Sequence, residues 1–157
     1  MTEPKRSRPD IPASYGIPAS EEGLLPWSHV LERLPHPRNY WVSTTRPDGR
    51  PHATPVWGVW TDGTLYFGGG EDTRRSRNLD ANPAVVVHLE SGDDVVIIEG
   101  TVEKFSEANA DPALLTRIDD AYEAKYNMRH GTPIWAVRPS VVFAWTTYPT
   151  TVTRWKF

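Results

Sequence analysis

The chain has 157 residues, a net charge of −3, a pI near 5.9, 38% hydrophobic and 24% charged residues. These values fit one globular domain that buries roughly 70% of its unfolded surface, and the acidic balance argues against a general nucleic-acid binder. Cysteine is absent, which excludes disulfides and thiolate chemistry. No apolar run nears about 18 residues, so no transmembrane helix and no membrane partner are expected, and the N-terminus lacks a signal-peptide core, so the expected location is cytoplasmic.

Residues 1–19 carry Pro4, Pro9, Pro12 and Pro18 beside Lys5, Arg6 and Arg8, which predicts an extended or flexible arm ahead of a domain over 20–157. A first helix is predicted over 24–34, where Trp27, Val30, Leu31 and Leu34 form one apolar stripe, with Pro26 in the first turn and Pro35 and Pro37 ending it. Tyr40–Thr45 then reads as a strand, Pro47-Asp48-Gly49 as a turn, and 50–60 as a second strand. After Asp62-Gly63, Leu65–Phe67 makes a third, so an antiparallel meander is expected.

Gly68-Gly69-Gly70 breaks that strand, and a short helix opens after it, stopped by Asn82-Pro83. Ala84–Leu89 is a continuous apolar strand, expected to be buried on both faces. Val95–Phe105 is a long strand in which Gly100 marks a bulge or bend. Asp111 caps a helix over 112–126, with Pro112 at its first position and Leu114, Ile118, Tyr122 and Tyr126 as its apolar stripe. Ile134–Val137 and Val141–Trp145 supply the last strands, and the terminal TRWKF adds a short strand or a cap. The expected fold is mainly β: an antiparallel barrel of six or seven strands with a few connecting helices.

The segment Phe67-Gly-Gly-Gly-Glu-Asp-Thr-Arg-Arg-Ser-Arg-Asn-Leu79 carries the chemistry. Glycines allow a ligand close to the backbone, and the helix start behind them offers unpaired N–H groups to an anion. Thr73 and Ser76 add hydroxyls, and Arg74, Arg75 and Arg77 add charge. The helix end is worth roughly 0.3–1 kcal/mol to a nearby negative charge, whereas each charge-assisted hydrogen bond is worth about 1.5–3 kcal/mol. Two arginines on one phosphate therefore outweigh the dipole. The competing reading is a solvated basic helix face. The segment is neither a P-loop nor a GxGxxG fingerprint.

The order strand, PDGRP, HATPVW strand, turn, LYFGGG, TRRSRNL, NP, VVV strand, EGTVEKF resembles the flavin-binding split-barrel family, which contains pyridoxamine 5′-phosphate oxidase and actinobacterial flavin- and deazaflavin-dependent oxidoreductases. The resemblance covers about 25–146 and implies an FMN-binding type of split β-barrel. It implies a phosphate held by Arg74 and Arg75, helped by Thr73, Ser76 and Asn78. The strand His52, Ala53, Thr54, Pro55, Val56, Trp57 would lie along the isoalloxazine ring, and Phe67, Gly68 and Gly69 would flank the ribityl chain and phosphate. Members are homodimers with the cofactor between subunits, so Trp145, Arg154 and Trp155 are candidates for contacts supplied by the partner or to substrate.

The oxidase itself usually carries Lys where Arg75 stands, and the substrate-binding motifs of a true pyridoxamine phosphate oxidase are not found near the C-terminus, which argues against that activity. The implied chemistry is hydride transfer between coenzyme F420 or FMN and a small unsaturated substrate, with no catalytic side chain required. Arg50 and Arg77 would suit the acidic tail of coenzyme F420 and tilt the choice slightly towards it. A non-catalytic carrier of flavin, coenzyme F420 or haem is the alternative. His88 and Glu90 share a strand face, but no third ligand stands at a convincing spacing, so no metal is expected.

Overall fold

The computed structural model describes residues 2–157. Its strands are β1 (Lys5–Ser7), β2 (Tyr40–Thr45), β3 (Pro51–Val56), β4 (Gly58–Thr61), β5 (Thr64–Gly68), β6 (Ala84–His88), β7 (Val95–Phe105), β8 (Ile134–Trp145) and β9 (Thr153–Lys156). Three α-helices join them: α1 (Trp27–Arg33), α2 (Arg74–Ala81) and α3 (Pro112–Tyr126). All pairings are antiparallel, in the order β1-β9-β8-β7-β6-β2-β3, with β5 also on β8 and β4 on β5. This is a split β-barrel.

Several expectations need correction. Among the described residues the strand count is nine rather than six or seven. The predicted strand over 50–60 divides at Trp57 into β3 and β4, which pair with different neighbours, so the simple meander fails there. The two predicted C-terminal strands are one, β8, running through Pro139. Pro139 lacks a ladder N–H, and it sits opposite Gly100 where the β7–β8 register shifts. β6 alternates, with Val85 and Val87 buried and Val86 part-exposed, so it is not buried on both faces. α1 begins at Trp27, because Pro26 lies outside in an extended conformation.

The first 19 residues are docked along part of their length. β1 pairs with β9, and a 3-10 turn follows at Ala13–Tyr15. The Arg8 guanidinium donates to the Thr150 carbonyl at 2.6 Å, and Arg154 donates to Ser7 and Asp10.

The core lies inside the barrel. Val30, Leu34, Val42, Phe67, Trp135, Val142 and Trp155 are each at most 1% exposed. A second cluster packs α3 outside β4 and β5, through Ile118, Tyr122 and Tyr126 against Val59, Tyr66 and Ile134. The Asp111 carboxylate accepts from the Ala113 N–H at 3.0 Å, and Asn127 ends α3 in the left-handed region at φ 60°. α3 thus sits where its apolar stripe was read.

Candidate functional site

The strand β5 ends in Gly68, and α2 starts six residues later beside β2 and β3. Thr73 caps α2, its Oγ1 accepting from the Ser76 N–H at 3.1 Å. The Ser76 hydroxyl donates to the Gly70 carbonyl at 2.8 Å. The Asn78 amide donates to Thr44 Oγ1 at 3.0 Å and so clamps α2 to β2. Ser76 and Asn78 are fully buried. The Ser76 hydroxyl and the Asn78 amide N–H are thus engaged by Gly70 and by Thr44 of β2, while Asn78 Oδ1 is buried without a partner among the described residues. The first-turn amides of Arg74 and Arg75 make no hydrogen bond to the described residues.

Arg75 turns inward. It is 8% exposed, its Nη2 donates to the Gly68 carbonyl at 2.9 Å, and its guanidinium lies 5.9 Å from the centre of the Phe67 ring. Its Nε is sealed from solvent without a partner. Gly69 makes room for this: at φ 152°, a Cβ there would stand 2.1 Å from Arg75 Nη2. Arg74, on the first turn of the helix, is exposed.

No carboxylate lies within ion-pair distance of Arg46, Arg74 or Arg75 among the described residues. Their charges bear together on His52 of β3, whose pKa is lowered by burial first and then by Arg46, Arg75 and Arg74. A patch of unneutralised positive charge thus forms on an acidic protein. Arg46, in the β2–β3 turn, was missed from the sequence. Arg50, the arginine of this turn named from the sequence, pairs with Asp48 at 2.8 Å. Arg77 faces Asp72 at 3.9 Å on the surface.

His130 also went unread. It lies over Gly68 and packs on the Tyr122 ring at 4.7 Å between centroids. Only α3 folding back across β5 brings it there, and no local motif announces that.

β3 is the end strand of the sheet path, so one of its edges is unpaired. Thr54 is half-buried, Pro55 exposed and Val56 buried in the core. Trp57 stacks on Tyr126 at 4.5 Å with a 4° interplanar angle, and Arg38 lies 5.3 Å from its ring centre. His52, Phe67, Gly68, Gly69, Thr73, Arg74 and Arg75 come together around the start of α2.

Trp145, Arg154 and Trp155 do not join them. Trp155 is a core residue, fully buried and edge-on to Trp27 at 5.4 Å, so it is not available to a partner subunit as it stands. Arg154 is engaged by Ser7 and Asp10, and Trp145 meets Tyr148 at 6.1 Å. His88 packs against Trp41 at 6.3 Å, with Nδ1 2.7 Å from the Leu89 carbonyl.

Beside Trp57 and Tyr126, Lys125 is half-buried. Its Nζ donates to Tyr40 Oη and to the Gly58 carbonyl, both at 2.9 Å. Desolvation lowers its pKa from 10.5 to about 8. Below pH 8 the lysine is charged in both the folded and unfolded chain, and the burial cost is felt in full. Between about 8 and 10.5 the unfolded chain binds more protons, so stability rises with pH. Above the ordinary tyrosine value of 10.0, the raised pKa values of Tyr40, Tyr122 and Tyr126 act oppositely. Chemical denaturation is therefore expected to show increasing stability from pH 8 to 10, and Lys125→Met should abolish that rise. An unchanged slope in the variant would assign the rise to other groups.

A family model described as pyridoxamine 5′-phosphate oxidase matches residues 27–146. Among solved structures, a conserved hypothetical protein from Mycobacterium tuberculosis is 20% identical, with a TM-score of 0.68 over 80% of this chain and 88% of that one. An F420 reductase is 27% identical, with a TM-score of 0.53 over 71% of this chain and 93% of that one. An FAD-binding protein from Mycobacterium smegmatis is 18% identical, with a TM-score of 0.56 over 85% and 98%. No curated protein sequence matches significantly. With the family model spanning β2 to β8 and the split barrel to match, the chain belongs to the pyridoxamine 5′-phosphate oxidase family of flavin-binding proteins.

Proposed function

We propose that the protein is an oxidoreductase that holds the phosphate of a flavin-type cofactor, coenzyme F420 or FMN, at the start of α2 and passes hydride between it and a small unsaturated substrate. The observation that carries this is the buried Arg75 guanidinium, with one carbonyl as its only hydrogen-bond partner and no counter-ion among the described residues. A buried charge left unneutralised costs several kcal/mol, and a phosphate oxygen would relieve it. Gly69 supports the same reading, since any side chain there would displace the guanidinium.

In this reading Arg75, Arg74 and the two free amides hold the phosphate, and Arg46 adds charge from the β2–β3 turn. The free edge of β3 offers backbone donors and acceptors to the polar rim of a flat ring. His52, with its lowered pKa, is neutral near pH 7 and can hydrogen-bond without adding charge. The bound cofactor would supply the hydride chemistry, and the chain supplies position and a water-poor groove. A second subunit across the β3 edge would close that groove, so the working form is a homodimer. The F420 reductase and the FAD-binding protein on the same fold support a flavin-type ligand in general terms.

The test is a side-by-side titration of apo-protein with FMN and coenzyme F420, followed by sedimentation and by turnover of the reduced cofactor with a flat unsaturated acceptor. One equivalent of one cofactor per subunit, on a dimer, is expected. Binding without turnover would assign a carrier instead. Failure of both cofactors to bind at micromolar concentration would remove the proposal.

A further inference from the structure

A cavity opens between α1, the N-terminal segment and the barrel strands, lined by none of the residues around α2. It has a volume of about 880 Å³, well within the range of small-molecule sites. Leu65, Val137 and Val142, each at most 3% exposed, form its floor, so it reaches the barrel core. Trp27, Trp60 and Phe157 line its sides, with Trp27 and Phe157 edge-on at 5.4 Å. Leu31, part of the apolar stripe of α1, is 38% exposed on this cavity.

One wall is the N-terminal segment. Glu3 faces α1, its carboxylate accepting from the Trp27 N–H at 3.3 Å, and β1 continues the wall along β9. At this rim Lys5 stands directly opposite Lys156 in the β1–β9 register. Directly opposed residues share a sheet face, and like charges so placed repel. Neither lysine has a carboxylate within ion-pair distance among the described residues, although Lys104 has two. An unfavourable pair of cations, kept at the mouth of an apolar cavity, is what an anionic head group would neutralise.

We infer that this cavity binds a small amphipathic anion, with its apolar, ring-bearing body between Trp27, Trp60 and Phe157 and its negative end at Lys5 and Lys156. This site is separate from the cofactor reading and does not depend on it.

The test compares two fluorescent probes of nearly the same shape, anilinonaphthalene sulfonate and its uncharged counterpart N-phenyl-1-naphthylamine, on the full-length protein. The sulfonate should bind saturably at one site per subunit. Lys5→Gln with Lys156→Gln should weaken it about five- to tenfold at low salt, as expected for exposed charge pairs, and leave the uncharged probe unchanged. Ser28→Trp, an exposed position on the cavity rim, should block both probes with the fold intact by circular dichroism. Saturating FMN should not displace either. Equal affinity of the sulfonate for wild type and the lysine variant would overturn the proposal. Displacement by FMN, loss of binding in an Arg74→Ala, Arg75→Ala variant, or loss on dimerisation would overturn it too, by assigning the signal to the α2 site or to a subunit interface. A protein that binds both probes here but neither flavin-type cofactor would fail the proposed function and leave this inference standing.

Discussion

Replacing Arg74 and Arg75 together by alanine is expected to weaken binding of the phosphate-bearing cofactor by a hundredfold or more. Each charge-assisted hydrogen bond is worth about 1.5–3 kcal/mol, and about 1.4 kcal/mol is a factor of ten, so two lost bonds set that floor. A companion variant separates a binding role from a structural one. Arg75→Met keeps the length and apolar bulk of the side chain while removing a buried charge that has no counter-ion. If Arg75 exists for the ligand, this variant loses affinity while the apo-protein melts at the same temperature or higher, since replacing an uncompensated buried charge by an apolar group is neutral to stabilising. If Arg75 serves the fold through its bond to the Gly68 carbonyl, melting falls with affinity. Titration calorimetry and a thermal melt on the same sample decide between them. Unchanged affinity in the double alanine variant would remove the phosphate site.

Gly100→Ala is expected to be the most damaging single substitution in the sheet. A Cβ there would lie 2.1 Å from the Arg138 carbonyl oxygen and 3.0 Å from Pro139 Cα. Both are backbone atoms of the paired strand, so no rotamer change relieves the clash. The register shift beside Gly100 lets β7 and β8 bend around the barrel, with the Ser140 hydroxyl donating to the Glu99 carbonyl at 3.0 Å. Overpacking costs about 1–3 kcal/mol, and against rigid backbone the upper end applies. For a chain of this size that lowers the thermal midpoint by roughly 6–12 °C. A shift of under two degrees would show that the bulge can slide to another position.

Much of the fold was legible because its signals are local. β2, β7 and α3 stand at the predicted residues, fixed by β-rich runs, by the single Gly100 interruption, and by Asp111-Pro112 ahead of a regular apolar stripe. The errors arose where tertiary pairing overrode local punctuation. The gap left between the two predicted C-terminal strands holds Pro139, yet β8 runs through it beside the bulge. Trp57 looked like the middle of a strand, yet its stacking on Tyr126 marks the change from one pairing to another.

The candidate site divides the same way. The glycine run and the arginines after it were readable as one local cluster at the end of β5 and the start of α2. What each side chain meets was not, because the partners of Arg75, Ser76 and Asn78 come from the Gly68–Gly70 run and from β2. Arg46 and His130 arrive from distant turns. Trp155 looked free near the end of the chain and is sealed by Trp27.

The gathering of Arg46, Arg74 and Arg75 around His52 on a chain of net charge −3 has a practical corollary. Distant surface charge repels an approaching anion, while the local field draws it in over the last stretch. At physiological ionic strength the screening length is about 8 Å, so only the local field guides capture. Under the proposed function, inorganic phosphate and sulfate would satisfy the same field, so a buffer containing either is expected to compete at the start of α2 and lower the cofactor affinity measured in it.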